Sequence, residues 1–163
     1  MNTKLLGIYL NDHLAGSTAG LELAKRAASS NEGTRLGDFL EGLVTEIESD
    51  RETLKAMMDH LGVGQDRIKV PAAWAAEKVG RLKPNGQLTG YSPLSRVVEL
   101  EGLALGVTGK LGLWRALAAT GEDLSSFDLE GLIDRARQQR DGLERHRILA
   151  AQAAFAKPVP AEA

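Results

Sequence analysis

Along four long stretches of the chain, apolar residues recur at three- and four-residue steps, the spacing that lines one face of an α-helix. From Thr3 to Ser30 that face carries Leu6, Tyr9/Leu10, His13, Ser17, Gly20/Leu21, Ala24 and Ala28, and Asn31-Glu32-Gly33 supplies turn chemistry after it. A second helix is predicted over Thr34–Leu61, with Leu36, Phe39/Leu40, Leu43, Ile47, Asp50, Leu54 and Met57/Met58 inward and Gly62 as its stop. The third, Pro93–Thr120, has Ser92 to cap it, proline at its first position and Gly121 after it. Its predicted inner face is Leu94, Val97, Val98, Glu101, Ala104, Leu105, Thr108, Leu111 and Arg115. The fourth runs to about Ala156 behind a capping box opened by Ser125 and closed by Asp128, and turns Leu129, Leu132/Ile133, Ala136, Gln139/Arg140, Leu143, Arg147, Ala150 and Ala154 to one side. A fifth, short helix is predicted over Pro71–Lys83, ended by the turn signal Lys83-Pro84-Asn85-Gly86. No stretch alternates as a strand would.

Linker lengths order these helices. The first and second, and the third and fourth, are joined closely and are expected to form antiparallel hairpins. About 30 residues, the short helix among them, separate the hairpins, enough to cross the length of a bundle. The prediction is an all-α four-helix bundle in one domain, residues 1–156, with one long crossover and a frayed tail over 157–163. A simple up-down bundle capped by the short helix is the alternative. Two runs of small residues stand out: Ala15, Gly16, Ala19 and Gly20 on the first helix, and Gly102, Gly106, Gly109 and Gly112 on the third. Each interior helix glycine costs roughly 0.5–1 kcal/mol relative to alanine. The expectation is therefore close helix packing, within the chain or in a homo-oligomer.

Composition narrows the classes of function. A chain of 163 residues with 43% hydrophobic and 26% charged residues fits a globular domain. Its net charge of −2 argues against a dedicated nucleic-acid surface. The arginines of the fourth helix are interleaved with Asp134, Asp141 and Glu144, which points to a solvated face. There is no cysteine, so thiol chemistry and disulfides are excluded. No apolar run reaches the length of a membrane span and no leader pattern opens the chain, so the expectation is a cytoplasmic protein with no membrane partner. No phosphate loop, dinucleotide fingerprint or nucleophile elbow is present.

The stretches LLGIYLNDHLAG and AGLELAKRAA, the RLKPNG turn, and SPLSRVVELEGLALGVTGKLGLWRAL resemble the ferritin-like superfamily, in particular a group of uncharacterised bacterial proteins assigned to it. The resemblance runs from about Lys4 to Phe155 and implies a ferritin-like four-helix bundle. Metal-active members of that superfamily carry a glutamate on each of two helices and Glu-x-x-His on each of the other two. Here Glu46 is followed at that spacing by Ser49, Glu101 by Ala104 and Glu144 by Arg147. The fold carries over and the di-metal motif does not.

Charged residues face a core only when paired. His13, Glu46, Asp50, Glu101, Arg140 and Arg147 all fall on or beside predicted inward faces, and form one expected buried polar cluster that fixes helix register. No cofactor is expected. The alternative is an Fe or Mn site built from His13, Glu46, Asp50 and Glu101, whose hard oxygen donors suit those ions. A further alternative is a small-ligand pocket lined by the same groups. His60 is placed at a helix C-terminus, where a cation is favoured. His146 is expected in solvent, Trp74 against Trp114, and Lys78, Arg81 and Lys83 in a solvated basic loop. The reading as a whole is a non-enzymatic binding or assembly module with a homo-oligomer or protein partner.

Overall fold

A computed structural model describes residues 2–65 and 91–156; the predicted short helix, Trp74, the Lys78/Arg81/Lys83 group and the tail lie outside the described residues. Among the described residues four helices follow one another: α1 Thr3–Ser30, α2 Arg35–His60, α3 Pro93–Ala119 and α4 Leu129–Phe155. No strand occurs among the described residues.

The helix starts and stops follow local chemistry. Thr34, Ser92 and Asp128 accept from the backbone N–H three residues on, at 2.9–3.1 Å, as does Asn2 before α1. Gly33, Gly62 and Gly121 adopt φ of 65–72°, the left-handed region that glycine enters without a Cβ clash. One cap differs from the capping box expected of Ser125. Asp128 itself caps α4, while the Ser125 hydroxyl donates to Asp123.

Contacts between side chains fix the direction of each helix. In the first hairpin Thr18 pairs with Arg51 and Lys25 with Glu48; in the second Lys110 pairs with Gln139 and Arg147 with Glu101. Between hairpins, Arg26 of α1 meets Glu99 of α3 and Leu23 lies 3.3 Å from where a Gly102 Cβ would stand. Asp50 and Glu46 of α2 meet Arg135 and Gln139 of α4. Every adjacent pair is therefore antiparallel, and α2 and α3 run the same way on one diagonal. The chain leaves α2 where Asn11 Nδ2 donates to Gly64 O (3.0 Å) and re-enters at Tyr91, whose hydroxyl accepts from Asn31 Nδ2 (3.2 Å). These anchors stand beside opposite ends of α1, so α2 ends and α3 begins at opposite ends of the bundle and the simple up-down alternative does not hold.

The core divides in two. One half gathers Leu10, Leu14, Leu54, Met57, Met58, Leu113, Trp114, Leu117 and Ile133; the other gathers Leu21, Ala24, Leu40, Leu43, Val97, Leu100, Leu103 and Leu143. A polar layer lies at the boundary between them. The inner face of α3 departs from the sequence expectation. Val97, Leu100, Leu103, Val107, Leu111, Trp114 and Leu117 are buried, whereas Glu101, Leu105 and Thr108 face outward, with Leu105 68% exposed. Leucine, alanine and glycine surround this helix on nearly every side, so its sequence carries little contrast to aim it.

Candidate functional site

Asp50 sits at the centre of the polar layer. It is 3% exposed, and its two carboxylate oxygens accept from Lys110 of α3 and Arg135 of α4. Lys110 also donates to Gln139 Oε1, and the Gln139 amide donates to Glu46 (2.7 Å). Burial pushes the Lys110 ammonium below its ordinary pKa, and the facing Asp50 carboxylate offsets part of that shift. Three helices thus converge on one carboxylate in a low-dielectric layer, where a partnerless charge would be costly.

The expected six-residue cluster does not assemble. Asp50 and Glu46 belong to this layer, although Glu46 stands at its exposed edge. Glu101 is 59% exposed and meets Arg147 at 3.8 Å, while Arg147 binds Glu144 through two hydrogen bonds of 2.7 Å. Arg140 lies on the surface and clamps its neighbour Asp141. His13 packs edge-on against Tyr9 with centroids 4.6 Å apart, and burial lowers its pKa despite Asp12. The cations that hold Asp50 are Lys110 and Arg135, neither among the predicted six. Lys110 was displaced by the mis-aimed face of α3: it belongs to the row of Leu103, Val107 and Trp114. Arg135 shares a row with Leu132, Gln139 and Leu143, and Gln139, not Arg140, is the buried member of that pair.

The alternative metal set fares likewise. Glu46 and Asp50 share the polar layer and His13 lines the same cleft as Asp50, but Glu101 stands apart beside Arg147, and both oxygens of Asp50 are held by cations, which repel a metal ion. Among the described residues, no three histidine, aspartate or glutamate side chains are grouped to hold one.

A second polar centre escaped the sequence reading altogether. Glu99 is 4% exposed; Arg26 Nε donates to its Oε1 (3.1 Å), with Nη2 ion-paired to the same oxygen at 2.9 Å, and the Tyr91 hydroxyl donates to its Oε2 at 2.8 Å. Asn31 donates to Tyr91 and to Ala27 O, and accepts from Arg96 Nε (2.8 Å). Burial, with the Glu99 carboxylate, raises the Tyr91 phenol to about 12. This network ties the returning chain to the end of α1. Elsewhere, His60 bonds Asp123 O (2.8 Å) and meets Phe127 edge-on, joining α2 to the α3–α4 loop. His146, expected in solvent, instead lies half-buried on Phe39 with centroids 4.7 Å apart.

Beside the polar layer α1 and α3 part to leave a largely apolar cleft of about 480 Å³, with α2 as its floor. Gly16 and Gly20 form one wall; Gly102, Gly106 and Gly109 form the other. Apart from Gly102, a Cβ at any of these positions would meet no atom of the described residues within 4 Å. The small residues were expected to draw two helices together. Over most of their length they hold a gap open instead. Ile47, Leu54, Leu103 and Val107 give the cleft its apolar surface, and Lys110, Asp50, Arg51, Trp114 and His13 reach it from the polar layer and the wall. Two donors of cleft residues, Arg51 Nε and Trp114 Nε1, are buried without a hydrogen-bond partner among the described residues. An unmet buried donor costs roughly 1–3 kcal/mol.

Comparison with protein-family models, with curated proteins and with solved structures finds no match to this chain. Among the described residues no helix is long and apolar enough to cross a membrane.

Proposed function

We propose that the protein is a non-enzymatic, ferritin-like helical bundle that works by binding, and that the α1–α3 cleft is its binding surface. The ferritin-like assignment is supported by two antiparallel hairpins, the second beginning at the opposite end of the bundle from where the first stops. The binding role is carried by one observation: interior helix glycines at 16, 20, 106 and 109 face open space within an apolar cleft. Alanine would improve the helix at each position. A cost borne four times without a close contact in return is accounted for by the opening itself. Its volume is in the range of about 300–1,000 Å³ usual for small-molecule sites. The absence of enzymatic activity is proposed because Asp50 is held by two cations and the Ser17 hydroxyl on the cleft wall donates to Leu14 O (2.6 Å), a backbone acceptor.

The test uses a neutral apolar fluorophore, N-phenyl-1-naphthylamine, with the full chain. Saturable one-to-one binding is expected. The double variant Gly16→Leu/Gly106→Leu, which fills the cleft from both walls, should weaken it at least tenfold while the circular dichroism of the helices is retained. Binding that survives filling sinks the proposal.

A further inference from the structure

The cleft has a chemical bias. Arg51, Lys110 and Arg135 stand at or behind its polar wall against the carboxylates of Asp50 and Glu46, one positive charge in surplus. Asp12, the other acid of the cleft, is exposed at its rim. Among the described residues four buried donors lack a hydrogen-bond partner: Arg51 Nε and Trp114 Nε1, whose residues line the cleft, Arg135 Nε behind Asp50, and, away from the cleft, Arg26 Nη2 beside Glu99. Lys110 spends two of its three N–H groups on Asp50 and Gln139. Opposite this wall lie glycines and aliphatic side chains with nothing to offer a polar group.

From this asymmetry we infer that the cleft binds an amphipathic monocarboxylate, its headgroup received by Arg51, Lys110 and the Trp114 indole N–H and its apolar body laid between the glycine walls of α1 and α3. The inference rests on the proposed binding role of the cleft and names the ligand class. A carboxylate supplies what the wall lacks, acceptor oxygens and one negative charge, and guanidinium and ammonium donors bind it by charge-assisted hydrogen bonds. A dianionic phosphate is disfavoured because the surplus is a single charge and Asp50 stands in the same layer. A neutral alcohol would bury its body equally well but leave the surplus charge unmatched. Glycine is required of both walls because the ligand's flanks occupy the space that side chains would fill.

Displacement of bound N-phenyl-1-naphthylamine by decanoate, decanol and decyl phosphate tests this. Decanoate is expected to displace the dye at a concentration at least tenfold below that of the other two. It should also shift the Trp114 indole N–H resonance, assigned by its loss in Trp114→Phe. In Arg51→Gln the advantage of decanoate over decanol, measured as the ratio of their displacement of the dye, should shrink severalfold; Lys110→Gln provides a second variant at the same wall. Decanol equal to decanoate in the unaltered protein overturns the carboxylate and leaves the cleft's binding role standing. Stronger displacement by decyl phosphate overturns the monoanion. If the dye itself fails to bind, the underlying reading falls with the inference. Light scattering would then show whether a second copy of the chain fills the cleft.

Discussion

Asp50 accepts from a lysine and an arginine on two different helices, and the value of that arrangement depends on which member is removed. Asp50→Ala strands Lys110, only 15% exposed, next to Arg135; loss of one partner from a buried pair costs about 3–5 kcal/mol. Urea denaturation should show a loss of that size. Replacing Asp50, Lys110 and Arg135 together by leucine, leucine and methionine should cost much less, since no charge is then left unpaired. The glycines offer a contrast at the same scale. Gly106→Ala and Gly109→Ala place a methyl in open space and should each stabilise by about 0.5–1 kcal/mol, raising Tm by a few degrees in calorimetry. Gly142→Ala should instead lower Tm, because its Cβ would stand 2.6 Å from the Phe39 ring. Identity alone does not separate these glycines; what faces each one does.

At the scale of the element, the helix ends were the most legible feature. Asparagine, threonine, serine and aspartate sit where a side-chain acceptor can meet the free N–H groups of a first turn, and that requirement is local. The fourth helix shows the limit of such reading, because two capping residues lay within reach. Asp128 bonds Gly131 N at 2.9 Å, and Asp128→Ala should cost about 1 kcal/mol in thermal or urea unfolding. Ser125→Ala, which removes only an exposed bond to Asp123, should stay within about 0.5 kcal/mol. Faces were legible in proportion to contrast. Along α2, Leu40, Leu43, Ile47, Asp50 and Leu54 alternate with charged residues and are buried as their spacing implies. Along α3 the contrast is missing, and the predicted face was rotated so that Glu101 came inward in place of Glu99 and Lys110. That rotation accounts for Glu101 in the expected cluster and for the absence of Lys110; on α4 the adjacent pair Gln139/Arg140 left open which member turns inward, and Arg135 lies one turn before it.

At the scale of the whole molecule, the Glu99–Arg26–Tyr91–Asn31 network closes the end of the bundle where α3 begins. Its pH response follows from Tyr91. With the folded phenol raised to about 12 against an ordinary value near 10, both states hold the proton below pH 10 and Tyr91 contributes no pH dependence there. Between about pH 10 and 12 the unfolded chain releases the proton while the folded protein keeps it, so stability falls as pH rises through that window. Denaturation midpoints measured across this range should decline for the unaltered protein, and Tyr91→Phe should flatten its share of the decline. No pattern in the sequence pairs residues 26, 31, 91 and 99, because they come from two hairpins and meet only when those pack together.

The sequence by itself determined that the described chain forms four helices, where each ends and where the first three begin, and which side of α2 and most of α1 and α4 turns inward. Those properties depend on interactions within a few residues: a cap satisfied three positions on, a glycine at positive φ, an apolar row one turn apart. Tertiary structure decided the rest. It chose the buried face of α3, gave Asp50 its two cations, assembled the network at Glu99, and set α1 and α3 apart so that glycines line a cleft instead of a seam. Each of these requires two distant segments to take a particular distance and rotation, and a helix uniform in its apolar and small residues does not encode that rotation locally.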